Sequence, residues 1–247
     1  MIEIAGGTVT GSSHQHKLNI RNNQDAFGWH LRTGNNAVCA VICDGCGSSK
    51  HSEVGAKIFA NKMPCEILRR EREICMANSA TELAWDHIRW RALSWIHDLF
   101  LPTKDYYLFT VMGVMAGLDW ITIFSIGDGV AYLNGNEIKL PEYPNNAPPY
   151  LAYELIQDKI RNPQPELYKF KIHAQIPVDE FETCLIGSDG VKDLAKIMDI
   201  SEFWTDDRYF QNSDQVRRKL AVVNKRKGEQ LGPLVDDTTL VVIRKGE

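Results

Sequence analysis

The chain has no long apolar run: nowhere do its 247 residues approach the ~20 consecutive apolar positions that a bilayer crossing needs. It has no basic excess either. Its 28 Lys and Arg stand against 32 Asp and Glu, so no overall field is present to hold nucleic acid or an anionic membrane. Six cysteines are too few for a disulfide scaffold in a chain this long. The opening MIEIAGGTVTGSSHQH lacks a basic stretch followed by an apolar one, so no export signal is expected. Reduced thiols and a cytoplasmic location follow as expectations. Internal repeats and low-complexity tracts are also missing.

What is present suits a single soluble domain spanning 1–247, because large two-sheet folds reach this length. Ala37–Cys43 (AVCAVIC) is almost continuously apolar, as a strand buried on both faces should be. From about Ser52 to Phe100 the pattern turns helical. Trp85, Ile88, Ala92, Trp95 and Leu99 recur at spacings of three and four, which puts them on one core-facing stripe. Further strands are predicted at Tyr107–Gly117, Ile121–Ile126, Val130–Leu133, Tyr168–His173, Thr183–Gly187 and Thr238–Arg244, with a turn at Asn134–Asn136. Pro141–Pro149 reads as an irregular loop. Helices are predicted at Val191–Ile197 and Asp214–Val223. Because helices cluster instead of alternating with strands, two packed sheets with helices outside fit better than a Rossmann fold.

The stretch VICDGCGSSK, Val41 to Lys50, offers two chemistries. Cys43 and Cys46 form a C-x-x-C spacing, as in a redox dithiol or half a zinc site. Between them Asp44-Gly45 places a carboxylate on a turn after an apolar run, which suits a hard cation. No second C-x-x-C completes a zinc tetrahedron, since Cys65, Cys75 and Cys184 are scattered. If Asp44 faces a cleft, strand alternation turns Cys43 to the core. The carboxylate is therefore the expected carrier of the chemistry.

Asp44 has company. Asp128 in FSIGDGV, Asp189 in CLIGSDGV and Asp236 in LVDDTTLVV also sit at the ends of apolar strands, most beside glycine. A carboxylate there is held by a rigid element and points outward, and glycine permits close approach. Converging carboxylates persist ionised mainly around a cation, and an all-oxygen ligand set favours Mg²⁺ or Mn²⁺.

These segments, in this order, resemble the metal-dependent serine/threonine protein phosphatases of type 2C. NQDAF at 23–27 is similar to that family's N-E-D-A element, VICDGCG to V-x-D-G-x-G, and FSIGDGVAYL to G-D-S-R-x-Y-L. LIGSDGVKD is similar to T/S-D-G-x-x-D, and DDTTLVVI to D-N-x-T-x-V-x-V; the opening GSSH…NQDA is most similar to the bacterial branch. The resemblance implies a four-layer α/β/β/α sandwich of two antiparallel sheets. It implies catalysis by Asp44, Asp189 and Asp236 with two Mn²⁺ or Mg²⁺ ions. Asp44 would bridge the ions, Gly45 lend its carbonyl, and Gln24 and Asp25 act through water. Asp128 and Asp193 match positions for a third, weaker ion. A flap at about 141–171 would border the site. Phosphorylated proteins are the implied substrates, set against a serine/threonine kinase, with no nucleic acid and no membrane involved.

The departures are specific. Gln24 stands where the family often has Glu, and Cys46 where many relatives have His. The family's phosphate-binding arginine would fall at Ile20. Arg21, one position late, is the candidate phosphate grip: in a strand the shift turns its side chain to the opposite face, a bulge or loop within Asn19–Asn23 restores it, and His14 is the substitute donor. Besides an active phosphatase, the sequence leaves open a pseudophosphatase serving as a binding module, and a thiol-redox or zinc protein resting on Cys43 and Cys46 alone.

Overall fold

The computed structural model describes residues 2–16, 19–20, 22–32, 37–75, 79–212, 214–225 and 230–246. In chain order the elements are β1 (Ile2–Val9), β2 (Gln15–His16), β3 (Asn19–Ile20), β4 (Ala26–Arg32) and β5 (Ala37–Gly45). Four helices follow: α1 (Ser52–Arg69), α2 (Glu71–Cys75), α3 (Ser79–Asp98) and α4 (Thr103–Tyr106). Then come β6 (Phe109–Ala116), β7 (Trp120–Ile126), β8 (Val130–Leu133), β9 (Asn136–Glu137), β10 (Lys171–Pro177) and β11 (Thr183–Gly187). The chain closes with α5 (Val191–Ile197), α6 (Glu202–Thr205), α7 (Arg208–Gln211), α8 (Asp214–Val223) and β12 (Thr238–Lys245).

The strands form two five-stranded antiparallel sheets, ordered β1-β12-β11-β8-β9 and β10-β7-β6-β5-β4, with β2 and β3 as a small separate hairpin. Strand β5 shows how the layers are specified. Its residues are buried through Cys43, and alternate positions enter different cores. Ala37, Cys39, Val41 and Cys43 pack with Phe59, Met63, Trp85, Ile88, Ala92 and Trp95 of α1 and α3. Val38, Ala40 and Ile42 pack between the sheets with Val114, Ile123, Ile186, Val241 and Ile243. A third cluster sets Ala5, Leu185, Leu240 and Val242 of the first sheet against Val191, Leu194, Phe203, Val216 and Leu220 on the closing helices. Three cores make four layers, α/β/β/α, as expected.

Several boundaries differ from the sequence reading for local reasons. The helical stretch is interrupted, and Leu99, expected on the core stripe, lies past the end of α3 and is 39 % exposed. The strand expected at 168–173 starts later, at Lys171, because Pro165–Tyr168 forms a 3₁₀ turn. Lys171 onward pairs with β7 through a register shift between Ile172 and Ala174. The strand expected at 107–117 starts later, at Phe109, because Tyr107 is the C-cap of α4. Helices α4, α6 and α7 have four residues each, too short for a periodic signal. Among the described residues no helix is long and apolar enough to cross a membrane.

Phe59 holds the helical layer together. It is fully buried on α1, with its ring 4.9 Å from Phe109, 5.5 Å from Trp95 and 6.2 Å from Tyr107. Phe59→Ala is expected to lower stability by about 3–5 kcal/mol, measured as a shift in urea denaturation at unchanged slope. A loss below about 1 kcal/mol would contradict this packing.

Candidate functional site

Antiparallel pairing decides which strand ends meet. Asp44 lies opposite Thr110 at the start of β6, and Val111 lies opposite Ile126 at the end of β7. The ends of β5 and β7, carrying Asp44 and Asp128, therefore share one edge of the second sheet. In the first sheet Gly187 at the end of β11 faces Leu240 of β12 and Val130 of β8, so Asp189 and Asp236 emerge together. The two edges meet around one cavity of ≈ 330 Å³ whose walls include Asp44, Asp128, Asp189, Asp236, Gly45, Gln24 and His14.

Local backbone demands explain the glycines. A Cβ on Gly45 would lie 2.6 Å from the Gln24 carbonyl oxygen and 2.8 Å from Ser52 Oγ, so only glycine lets Asp44 end its strand against the Gln24 segment. Gly127 and Gly129, flanking Asp128, have φ of 91° and 147°, which side-chain-bearing residues rarely adopt.

The segment 22–25 is locked beneath the cavity by donors from several elements. Asn23 accepts the Asp25 N–H at 3.0 Å and donates to Thr8 Oγ1 at 2.7 Å. Ser188 Oγ donates to Asp25 Oδ2 at 2.7 Å and accepts the Thr239 N–H at 3.0 Å. Gln24 Nε2 donates to Ser52 Oγ (2.8 Å) and to the Cys46 carbonyl (3.3 Å). A carbonyl only accepts, which orients the amide and leaves Gln24 Oε1 buried and without a partner among the described residues.

The electrostatics follow from burial. Burial raises the Asp44 carboxyl well above the ordinary range, and Asp25, Asp189, Asp236 and Asp128 push it further. Asp25 is pushed up to about 7 by burial and then by Asp237, against hydrogen bonds with Ser188, Thr239 and Asp44. Asp128 is raised by burial, partly offset by a backbone hydrogen bond and Lys192. A divalent cation among Asp44, Asp189 and Asp236 would answer both this repulsion and the orphaned Gln24 oxygen, so the donor set fits a hard metal ion.

The sulfurs are parted. Cys43 is fully buried in the helix-side core, its thiol raised by burial and by Asp25 and Asp44. Cys46 lines the cavity, with Sγ 3.1 Å from Ser48 Oγ. Burial acts to raise its thiol, but hydrogen bonds with Ser48, Tyr150 and Ser49 outweigh that and leave it lowered. One cysteine in the core and one on the cavity wall suit neither a dithiol nor a shared zinc.

Not every expected residue lines the cavity. Asp25 lies under it, engaged with Ser188. Asp193 is on α5, 3.0 Å from Lys196 Nζ, and is not a wall residue. Arg21 lies outside the described residues. From the expected flap, Pro148 and Tyr150 form part of the wall. Behind them Glu154 pairs with the buried Arg89 of α3, and Phe170 packs against Trp85 with ring centroids 5.1 Å apart.

One residue escaped the sequence reading. Asp237 is 3 % exposed and accepts N–H groups from Gly11 (2.7 Å) and Gln24 (2.6 Å), with His14 Nδ1 at 3.0 Å. Ligand atoms of His14, Asp236 and Asp237 all lie within 4.8 Å of one another. Its signal was available: Asp237 takes the place of Asn in the pattern D-N-x-T.

A family profile described as Protein phosphatase 2C matches residues 10–226. No curated protein sequence matches the chain. Among solved structures it is similar to serine/threonine phosphatase Stp1 from Staphylococcus aureus, at 17% identity and TM-score 0.57, covering 100% of this chain and 96% of that one. It is also similar to serine-threonine phosphatase 2C from Toxoplasma gondii, at 12% identity, TM-score 0.56, and 98% and 94% coverage. A third is the catalytic domain of the serine threonine protein phosphatase PstP, in complex with 2 manganese ions, at 13% identity, TM-score 0.53, and 98% and 97% coverage. At these identities the likenesses establish the fold.

The buried carboxyls yield a pH test. Asp25 and Asp44 keep their protons to higher pH in the folded chain than in the unfolded one, whose ordinary value is about 4. Between about pH 4 and 7 the folded state therefore binds more protons, and stability falls as pH rises through that window. In EDTA the thermal midpoint should be lower at pH 8 than at pH 5, and Asp44→Asn should flatten the profile. Excess Mn²⁺ at pH 8 should raise the midpoint. A midpoint in EDTA that climbs between these pH values would contradict the assignment.

Proposed function

The chain belongs to the protein phosphatase 2C family, and on that footing we propose that it hydrolyses phosphoserine and phosphothreonine in phosphorylated proteins, using two Mn²⁺ or Mg²⁺ ions. The observation that carries this is the convergence of Asp44, Asp128, Asp189 and Asp236, two from each sheet, on one cavity beside the unpartnered Gln24 oxygen. The proposed ligands are the Asp44, Asp189 and Asp236 carboxylates and the Gly45 carbonyl. Gln24 and Asp25 act through ordered water, and Asp128 with Asp193 offers a third, weaker site. Asp193 must leave Lys196 to take part.

Once bound, such ions lower the pKa of water and neutralise phosphoryl oxygens, so no covalent phosphoenzyme is needed. The protein supplies position. Ser52 and the Cys46 carbonyl hold the Gln24 amide, and Ser188 holds Asp25. His14, on the cavity wall, is the proposed hydrogen-bond donor to the substrate phosphoryl group. Pro148 and Tyr150 restrict the approach, which makes the 141–171 flap the proposed seat of substrate preference. Regulation opposite a serine/threonine kinase in the cytoplasm completes the reading.

The second reading, a pseudophosphatase that binds without turning over, draws on Ile20 and Cys46 where relatives carry arginine and histidine. One assay separates the two. Hydrolysis of p-nitrophenyl phosphate and of a phosphothreonine peptide should require Mn²⁺ and stop with EDTA. Asp44→Asn should abolish it while preserving the fold, and turnover near wild type in that variant would sink the two-metal assignment.

A separate expectation concerns the thiol. Cys46→Ser should keep most of the activity, whereas Cys46→His should raise it by up to ~10²-fold if leaving-group protonation is limiting. Loss of a tightly bound zinc in both Cys46→Ser and Cys43→Ser, read by metal analysis, would instead restore the sulfur-based chemistry.

A further inference from the structure

The chain departs from its family's pattern at two places that bear on one task. Where an arginine is expected to grip phosphate stands Ile20, and where D-N-x-T has asparagine stands Asp237. The second departure touches the residue that would compensate for the first.

Among the described residues, the hydrogen-bond partners of the Asp237 side chain are all nitrogens. Oδ1 accepts the Gly11 N–H at 2.7 Å and faces His14 Nδ1 at 3.0 Å, and Oδ2 accepts the Gln24 N–H at 2.6 Å. A carboxylate has two acceptor oxygens and no donor, so it satisfies all three. Asparagine would not: with its oxygen toward Gly11 and His14, its NH₂ would meet the Gln24 N–H, donor against donor. The bond to Asp237 makes Nδ1 the donating nitrogen, which leaves Nε2 to serve the cavity that His14 lines. A phosphate dianion at Nε2 and the carboxylate at Nδ1 would then flank the ring, each accepting one N–H, as charge-assisted hydrogen bonds.

We propose that Asp237 is a positioning residue for phosphate binding: it holds His14 Nδ1 so that Nε2 meets the substrate phosphoryl group, and the pair replaces the family's arginine. The inference rests on the phosphatase reading and deepens it. The two departures are then one compensated change, since an arginine donates without help, whereas a histidine donates from both ring nitrogens only as the imidazolium, which a carboxylate at Nδ1 favours.

The test compares wild type with His14→Ala, Asp237→Asn, His14→Ala with Asp237→Asn, and His14→Arg with Asp237→Asn, all loaded with Mn²⁺. Both single variants should raise KM for p-nitrophenyl phosphate and weaken inhibition by inorganic phosphate, each by about tenfold. They should change kcat less, and His14→Ala should leave Mn²⁺ affinity by calorimetry unaltered. The Ala–Asn double variant should be no worse than either single, because one interaction is lost only once. The Arg–Asn variant should recover KM, a rescue that a merely structural role for Asp237 would not give. Additive losses, or an Asp237→Asn variant with unchanged KM, would overturn the proposal. So would an Asp237→Asn defect that arginine at position 14 leaves unrepaired.

Two readouts need no turnover. The ¹⁵N shifts of the His14 ring should report Nδ1–H in metal-free wild type and change in Asp237→Asn. Inorganic phosphate should bind the Mn²⁺-loaded protein more weakly after that substitution. If wild type hydrolyses nothing, the phosphatase reading fails while these measurements still decide the His14–Asp237 pairing. Unchanged ring shifts and unchanged phosphate affinity would end it.

Discussion

Mutual repulsion of carboxylates held where water is scarce governs the active end of this sandwich. Asp25 lies between Asp44 and Asp237 in this repulsion, acting on the first and acted on by the second, with Asp128, Asp189 and Asp236 lining the cavity. The protein resolves the conflict differently for each. Asp237 accepts the Gly11 and Gln24 N–H groups and faces His14 Nδ1. Asp25 takes the Ser188 hydroxyl and still holds its proton to about 7. Asp44 has four carboxylate neighbours raising it, so it depends most on a counter-charge from outside the chain. A cation is the natural partner of this geometry, and the orphaned Gln24 oxygen is consistent with the same occupant.

The scaffold that sustains such repulsion is stiff because each proposed ligand position continues a packed row. Asp44 follows Val38, Ala40 and Ile42 along the face of β5 that meets the other sheet, and Asp189 follows β11. Moving either carboxylate would mean shifting a strand whose side chains interdigitate on both faces. Rigid strands thus set the positions of the strand-end carboxylates. The segments proposed to set phosphate grip and access, residues 11–14 and the 141–171 stretch, instead hang on particular anchors. Those anchors are Asp237 for the first and Arg89 with Trp85 for the second. On the proposed reading, chemistry and selectivity therefore rest on different mechanical supports, so substitution in the second group should retune recognition without disturbing the carboxylate cluster.

Much was legible before the fold, and the reason is local. Apolar runs ending in Asp-Gly mark strand ends, so Asp44, Asp128 and Asp189 stood out, and β5, β7, β8, β11 and β12 fell close to their expected bounds. The stripe on α3 was readable because burial follows helical spacing, and it failed at Leu99 where the helix had ended. The C-x-x-C spacing misleads for a similarly local reason. Strand alternation sends Cys43 into the helix-side core while the chain turns at Gly45 and leaves Cys46 on the cavity wall.

The sequence by itself determined the two-sheet layering, the order of the motifs and the strand-end carboxylates, because each depends on periodicity and turn chemistry within a few residues. Only the tertiary structure decided which acidic residue of the Asp236-Asp237 pair faces the cavity and which is buried. It also decided that Asp25 lies beneath the site and that His14 has a carboxylate behind it. Those outcomes rest on donors and acceptors far apart in the chain: Gly11 and Asp237 are 226 residues apart, and Asp25 and Ser188 are 163. A buried carboxylate takes its character from whatever donors the fold brings to it, and no window of sequence holds both partners.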